Sequence, residues 1–215
     1  MFTGLIKATA EITAREPGSA GTVKLRLYSE AFQDFNTEVG DSLAVDGVCL
    51  TVVERGSDSV AVELAETTEA KTTLRAASPG RLVNLEPSLA VGERVEGHYV
   101  SGHVDALVSI IALDKRSSGY RLVTDYDDEL RPFLAPRGSI ALDGISLTIA
   151  EVSAENLTVQ VVPHTYQETS LRARKPGQKM NLEVDTLARY LYNFWITDQT
   201  ESDFSLRELS RAFKR

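Results

Sequence analysis

A short polar pair follows an Asp-Gly dipeptide at two places in this sequence. The pairs are Cys49 with Thr51 after Asp46-Gly47, and Ser146 with Thr148 after Asp143-Gly144. Because successive side chains of a β-strand alternate between its two faces, each pair lies on one face of one strand. Hydroxyl and thiol groups can hydrogen-bond a ligand or act as nucleophiles. The sequence therefore predicts two matched polar sites, one at the mouth of each structural unit.

The three histidines of the chain are His98, His103 and His164. His98 and His103 are five residues apart, a spacing that suits ligands on neither one strand face nor one helix face, so we predict no metal site. Imidazole changes its charge near neutral pH. We therefore interpret His103 as a hydrogen-bonding or acid–base group, with a buried structural histidine as the alternative.

Ser146, His103 and Asp185 are also the residue types of a Ser-His-Asp hydrolase. The segment from Gly144 to Thr148 opens like the Gly-x-Ser of a nucleophile elbow, but it lacks the closing glycine. It also lacks the strand-turn-helix context of an elbow. A hydrolase stays as an alternative, and labelling of Ser146 by an acylating inhibitor would support it.

The two polar pairs belong to an internal repeat. Residues 42–52 match residues 139–149, and Gly144 lies 97 residues after Gly47. The same offset relates three further segments: Thr68 to Thr165, Asn84-Leu85-Glu86 to Asn181-Leu182-Glu183, and Pro79-Gly80 to Pro176-Gly177. Near the start the register slips by one residue, so that Thr3-Gly4 pairs with Ser101-Gly102. A fixed offset indicates duplicated structural units, and we predict domains at residues 1–97 and 98–186.

Each repeat has the pattern of a small β-barrel. Its apolar residues alternate with polar ones or form short β-branched runs, as at residues 22–28, 49–53, 60–64 and 159–162. The Asp-Gly dipeptides are typical of tight hairpins. Residues 67–74 and 166–174 are expected to form one or two helical turns. Several short strands in each repeat favour a closed barrel, which leaves no exposed sheet edge.

The pattern after Asp185 is that of an amphipathic helix outside the repeat. Asp185 is expected to be its N-cap, and its apolar face carries Leu187, Tyr190, Leu191 and Phe194. Ser205 with Glu208 predicts a capping box for a second helix. We assign residues 187–215 to this helical segment, whose apolar face needs cover from a second subunit or from its own barrel.

The composition limits the classes of partner. The chain has 215 residues, 42% hydrophobic and 25% charged, as in ordinary globular proteins. Its net charge of −8 argues against a nucleic-acid partner, which needs clustered lysine and arginine. No apolar run approaches the roughly 20 residues of a membrane span. A single cysteine and an opening without signal-peptide features make the cytoplasm the expected location.

Five segments together resemble the riboflavin synthase family. They are residues 1–6, 46–52, 97–105, 143–149 and 163–165, and the resemblance extends over about residues 1–190. It implies that two molecules of 6,7-dimethyl-8-ribityllumazine react together. One gives a four-carbon unit to the other, yielding riboflavin and 5-amino-6-ribitylaminouracil without a cofactor or metal.

The resemblance also implies an architecture and partners. The expected fold class is all-β, with two tandem six-stranded Greek-key barrels followed by a C-terminal α-helix. The expected assembly is a homotrimer in which the first barrel of one subunit faces the second barrel of the next. The helix would form the trimer contact, and lumazine synthase is a further expected partner.

The resemblance assigns site residues by matched position. It implies that Ser146 and Thr148 serve the second pocket, with His103 as proton carrier and Asp185 orienting or contacting the ligand. Cys49 and Thr51 would be their counterparts in the first pocket. The implied substrate-binding residues are Gly4, Leu5, Ile6, Val48, Cys49, Leu50, Thr51, Glu66, Thr67, Thr68, Gly102, His103, Val104, Arg137, Ser146, Leu147, Thr148, Val162, Pro163, His164 and Thr165.

A non-catalytic antenna protein is the main alternative, because such proteins resemble the same double barrel while holding one lumazine or flavin. They lack the polar set of the second pocket. The presence of Ser146, Thr148, His103 and Asp185 in this sequence favours the enzyme.

Overall fold

The structure, a computed structural model, describes residues 1–200, and twelve strands within that range form two closed antiparallel barrels. The predicted fold class is confirmed. The second helix predicted from Ser205 and Glu208 lies outside the described residues.

Both barrels have the same strand order. The first contains β1 (Ala8–Pro17), β2 (Val23–Tyr28), β3 (Ser42–Val45), β4 (Val48–Arg55), β5 (Ser59–Leu64) and β6 (Leu82–Pro87), which run β1-β2-β5-β4-β3-β6 around the barrel. The second contains β7 (Ala106–Arg116), β8 (Gly119–Asp125), β9 (Ser139–Leu142), β10 (Ile145–Val152), β11 (Asn156–Val161) and β12 (Lys179–Val184), in the equivalent order. The pairings of β2 with β5 and of β3 with β6 give the first barrel its Greek-key topology, and those of β8 with β11 and of β9 with β12 do the same in the second.

Within the described residues, three α-helices accompany the barrels: α1 (Glu66–Lys71), α2 (Pro163–Glu168) and α3 (Thr186–Thr200). Short 3₁₀ turns at Thr73–Ala76 and Ser170–Ala173 follow α1 and α2, as the sequence predicts. Asp185 caps α3, because its Oδ1 accepts a hydrogen bond from the Leu187 amide at 2.9 Å. No helix within residues 1–200 is long and apolar enough to cross a membrane.

Apolar side chains fill the inside of each barrel. On β4, Val48, Leu50 and Val52 are buried, while Cys49 is half-buried and Thr51 exposed between them. This alternation places the polar pair on the outer face of the barrel wall. The same holds for Ser146 and Thr148 on β10. The expectation that the polar pairs open into a barrel mouth is therefore wrong: the candidate sites lie outside the barrels.

The two Asp-Gly turns meet back to back where the barrels touch. Asp46 and Asp143 have φ of 45° and 46°, and Gly47 and Gly144 have φ of 76° and 77°, as a type I′ hairpin requires. A Cβ on Gly47 would lie 2.5 Å from the amide nitrogen of Gly144. Glycine is needed here for its conformation and also because no side chain fits between the turns.

Both turn aspartates are fully buried at this contact and are held by two arginines. Arg174 Nη2 lies 2.9 Å from Asp46 Oδ2 and 2.6 Å from Asp143 Oδ2, and Arg81 Nη2 lies 2.7 Å from Asp46 Oδ2. Arg174 therefore bridges the two halves. Ionic groups taken out of water need such partners to be tolerated.

Two asparagines complete the contact in a symmetric way. Asn84 Nδ2 donates to the carbonyl of Asp143, and Asn181 Nδ2 donates to the carbonyl of Asp46, at 2.9 and 2.8 Å. Their Oδ1 atoms accept from the amides of Ser170 and Thr73. Each repeat thus satisfies the buried main chain of the other, which makes the barrel contact a specific interface.

The Asp143 carboxyl gives stability a predicted pH dependence. Burial, and then the charge of Asp46, raise the pKa of Asp143 to about 7. The folded chain therefore keeps a proton that the unfolded chain loses at ordinary aspartate values, and the free energy of unfolding should fall as pH rises from about 4 to about 7. Asp143→Asn should reduce this fall, as measured by urea unfolding at pH 5, 6, 7 and 8.

Asp127→Asn, which removes an exposed carboxyl, is the matched control and should follow the wild type. An unchanged pH slope in Asp143→Asn would contradict the assignment of the proton to Asp143.

Candidate active site

Each polar pair is covered by the opening segment of the other repeat. The Ser146 amide donates to the carbonyl of Gly4 at 2.8 Å, and the Cys49 amide donates to the carbonyl of Gly102 at 2.9 Å. Gly4 and Gly102 have φ of 76° and 82°, and a Cβ at either would lie 2.6 or 2.5 Å from the facing Cβ. The main chain therefore approaches each strand more closely than any other residue type would allow.

Apolar side chains of each opening segment also pack against the barrel of the other repeat. Ile6, from the opening of the first repeat, packs against the core of the second barrel, and Val104 packs against the core of the first. An antiparallel bridge between Phe2 and Val100 joins the two opening segments. Each candidate site is thus built from both repeats, so neither barrel completes its site alone.

Two buried carboxylates anchor the opening segments to their own barrels. Glu86 accepts hydrogen bonds from the amide and hydroxyl of Thr3 and from the amide of Gly4. Glu183 accepts from the amide and hydroxyl of Ser101 and from the amides of Gly102 and His103. Burial raises the pKa of both glutamates, and these hydrogen bonds oppose the rise. The anchors fix where Gly4 and Gly102 meet the facing strands.

The first site is a pocket on the outer face of β4, with a volume of about 220 Å³. Its walls come from β4, from α1 and from the opening segment of the second repeat. Predicted site residues that line it are Val48, Cys49, Thr67, Thr68, Gly102, His103 and Val104. Lys71 and Thr72 also line it, and sequence reasoning missed both.

The second site has a histidine beside its serine. His98 Nδ1 lies 2.7 Å from Ser146 Oγ. The imidazole is buried, and within the described residues its Nε2 has no hydrogen-bond partner. Burial lowers the pKa of His98, and the charge of Asp185 opposes this shift. Near neutral pH the ring is therefore uncharged and can accept the Ser146 hydroxyl proton.

This geometry changes the expected role of the histidines. The resemblance implies His103 as the proton carrier of the second pocket, but within one chain His103 lines the pocket of Cys49 and His98 contacts Ser146. The repeat offset gives no signal for this difference, because the opening segments cross to the facing strands and bring His98 to Ser146.

Arg137 has a strained main-chain conformation in the turn that precedes β9. Its φ is 70°, in the left-handed region, where the equivalent residue of the first repeat is Gly40 with φ of 100°. A non-glycine residue there costs about 1 kcal/mol or more. Arg137, whose side chain is exposed, thus occupies a position where glycine would have less conformational strain.

The remaining predicted residues differ in how far they can reach a ligand. Leu50 and Leu147 belong to the barrel cores, so only their main chain faces outward. Thr51 and Thr148 are exposed on the outer walls. Five further residues lie at or next to the starts of α1 and α2 and are exposed or half-buried: Glu66, Val162, Pro163, His164 and Thr165. Leu5 is half-buried next to Gly4.

Comparison with known proteins identifies both halves of the chain. The model of the family described as "Lumazine binding domain" matches twice, at residues 3–88 and 101–185. The riboflavin synthase of Brucella abortus (strain 2308) is 40% identical over 195 residues, covering 88% of this chain and 96% of the relative. That of Bacillus amyloliquefaciens is 36% identical over 209 residues, covering 97% and 96%.

Solved structures share the fold. The crystal structure of LumP complexed with riboflavin superposes with a TM-score of 0.77 at 20% identity, covering 86% of this chain and 99% of that chain. The crystal structure of LumP complexed with 6,7-dimethyl-8-(1'-D-ribityl) lumazine gives a TM-score of 0.75 at 19% identity, with the same coverage.

Proposed function

The chain belongs to the riboflavin synthase family, and we propose that its two outer sites hold two molecules of 6,7-dimethyl-8-ribityllumazine for transfer of a four-carbon unit between them. The chain is a transferase of riboflavin biosynthesis. The observation that carries the assignment of the sites is their matched construction: β4 with Gly102, and β10 with Gly4, form the same hydrogen bond. Identical reactants call for matched sites.

Residues 1–97 and 98–186 are the two lumazine-binding units in this proposal. Main-chain groups near Gly4 and Gly102 contact the ring edges, while Thr51 and Thr148 contact polar atoms from the outer walls. Arg137 and the residues at the starts of α1 and α2 close the sites. The strain at Arg137 supports a binding role, because strained residues persist where the surroundings use them.

The two sites have different proton chemistry. In the second site, His98 accepts a proton through Ser146 Oγ, which makes this hydroxyl the group that moves a proton to or from the C7 methyl of its lumazine. The Asp185 carboxylate raises the pKa of His98 by its charge and so favours the imidazolium that forms. In the first site, Cys49 and His103 line the pocket and bind the other lumazine.

The reaction then requires the two rings to meet. We propose a homotrimer in which the first site of one subunit faces the second site of its neighbour. His103 and Ser146 would then belong to one composite active site. Holding two reactants in register can contribute roughly 7–11 kcal/mol to lowering the barrier. No cofactor or metal is part of this proposal.

The outer face of α3 is the proposed trimer contact. Leu187, Tyr190, Leu191 and Trp195 are each more than half exposed in the single chain. Such an apolar face needs a partner in an assembly. Lumazine synthase is a further proposed partner, and the free thiol of Cys49 suits the reducing cytoplasm.

The decisive experiment is incubation of the protein with 6,7-dimethyl-8-ribityllumazine alone, in buffer with a chelator. Riboflavin fluorescence should appear, with one riboflavin formed for every two lumazines consumed. Bound lumazine at one molecule per chain with no riboflavin would instead support an antenna protein. Folded protein that neither binds nor converts lumazine would end the proposal.

A further inference from the structure

A second and larger cavity lies between the barrels, on the far side of α1 from the first candidate site. Its volume is about 960 Å³, within the range of about 300–1,000 Å³ that small-molecule sites occupy. Thr72 is the one lining residue that it shares with the pocket of Cys49 among the described residues. Apart from Thr72, none of the site residues assigned above lines it, so the riboflavin synthase reaction leaves it unexplained.

The cavity is strongly basic. Its lining includes Arg75, Arg81, Arg174 and Lys179, and the described lining contains no aspartate or glutamate. Two carboxylates, Asp46 and Asp143, lie behind the arginines and bind the Nη2 atoms of Arg81 and Arg174. Four cations against two carboxylates leave an excess of positive charge in a chain whose net charge is −8. A local field of this sign attracts anions.

Several donors in the lining have no protein partner. Ser170 is 1% exposed, and within the described residues its hydroxyl makes no hydrogen bond. The side chains of Arg75 and Lys179 form no ion pair or hydrogen bond with any of residues 1–200, and both are exposed. A buried hydroxyl without a partner is unusual, because it loses its hydrogen bonds to water. The exposed Arg75 and Lys179 stay hydrated, and their charges are available to a ligand. Together they give the lining hydrogen-bond donors and positive charge that suit an anionic ligand.

The duplication provides an internal comparison. Arg172 is the counterpart of Arg75, and its Nη2 donates to the hydroxyl of Thr9 at 3.1 Å. The register equivalent of Thr9 is Leu107, since Thr9 pairs with Asn84 and Leu107 pairs with Asn181. Leucine cannot accept a hydrogen bond. Arg172 is therefore hydrogen-bonded to the other repeat, whereas the side chain of Arg75 has no such bond to any of residues 1–200.

The shape of the cavity indicates more than a bare ion. Pro79, Leu82 and Leu107 give it an apolar wall beside the basic one. A phosphate group is a good match for guanidinium donors, which bind its oxygens in pairs. A flat organic group attached to that phosphate would lie along the apolar wall.

From the four cations, the unpartnered Ser170 hydroxyl and the apolar wall, we propose that the cavity between the barrels is a binding site for a small organic phosphate monoester. The phosphate contacts Arg75, Arg174 and Lys179. The organic part packs on Leu82 and Leu107. This site is separate from the two lumazine sites and does not depend on the proposed reaction.

Calorimetric titration of the full chain with adenosine monophosphate tests the proposal. This probe is chosen because a phosphorylated flavin would also enter the lumazine sites. Adenosine monophosphate should bind saturably and more tightly than inorganic phosphate, and adenosine at least tenfold more weakly, since it lacks the charge-assisted hydrogen bonds. Binding should weaken as salt is added.

Two substitutions at exposed positions locate the binding. Arg75→Gln and Lys179→Gln should each weaken adenosine monophosphate binding about tenfold, as expected for loss of one charged donor. Lys115→Gln, at an exposed lysine on the β7–β8 hairpin, removes the same charge elsewhere and should bind as the wild type does. Riboflavin at saturation should not displace the probe.

Three results would overturn the proposal. They are the absence of saturable binding, an equal loss in Lys115→Gln, and displacement of the probe by riboflavin. Inorganic phosphate that binds as tightly as adenosine monophosphate would overturn the role of the apolar wall and leave the cavity a site for bare anions. None of these results affects the riboflavin assay, so the two proposals fail separately.

Discussion

Replacement of His98 by asparagine is expected to lower the rate of riboflavin formation about a hundredfold or more, while lumazine still binds. Asparagine can place an amide near the position of the imidazole Nδ1, 2.7 Å from Ser146 Oγ, but it cannot take up a proton. General acid–base groups typically contribute about 10²- to 10⁴-fold. Ser146→Ala should have a loss of similar size, because it removes the atom through which His98 acts.

The pH profile separates proton transfer from packing. Burial lowers the pKa of His98, so wild-type kcat should fall only at pH values below the ordinary histidine range, where the ring becomes charged. His98→Asn should lose this acid limb. A merely structural role would lower activity without changing the profile.

Cys49→Ala and His103→Ala, in the first site, are the matched comparisons. We expect smaller losses of kcat and larger changes in the binding of one lumazine. If His103→Ala reduced kcat more than His98→Asn did, the proton carrier would be His103, acting across the subunit contact. If Ser146→Ala kept full activity, the second site would have no proton-moving role.

At pH 8, above the pKa of about 7 that Asp143 has in the folded chain, replacement of Arg174 by methionine is expected to cost about 3–5 kcal/mol of stability, which is the usual penalty for leaving buried charge without its partner. Arg174 is the only described cation that contacts both Asp46 and Asp143. Its loss leaves the fully buried Asp143 with no ion-pair partner among residues 1–200. Urea unfolding monitored by Trp195 fluorescence and by circular dichroism would measure the change.

The control is Arg172→Met. Arg172 is exposed and donates to carbonyls and to Thr9, so its replacement should cost about 1 kcal/mol or less. A double variant provides the second check. Asp143→Asn in the Arg174→Met background should restore part of the stability, because it removes the unpaired charge. Equal costs for Arg172→Met and Arg174→Met would contradict the view that Arg174 holds the barrels together.

Many residues of the candidate sites can be predicted from the sequence, through the resemblance and the internal repeat. Cys49 and Ser146 are matched because the offset of 97 residues places both after the same turn. Period-two alternation shows which strand positions are polar, but it cannot show whether the polar face is inside or outside a barrel. The inner face is set by how the sheet closes into a barrel, and here the closed barrel buries Val48 and Leu50 and leaves Cys49 on the outside.

The partner of Ser146 could not be read from the repeat. Opening segments that cross to the other barrel bring His98 to Ser146 and Gly102 to Cys49. Comparison of the two repeats aligns each opening segment with its own repeat, and it does not show that the segment contacts the other barrel. The Glu86 and Glu183 anchors, which set the crossing, look like ordinary strand residues in the sequence.

The two strand-rich repeats, their Asp-Gly turns and the C-terminal helix with its cap at Asp185 follow from the amino-acid sequence alone. These depend on local conformational preference and on hydrophobic period, both of which act over a few residues. The meeting of the turns, the burial of Asp46 and Asp143, and the different surroundings of Arg75 and Arg172 depend on the packing of the two barrels. Burial and charge pairing require surfaces that exclude water together, and those surfaces come from distant parts of the chain.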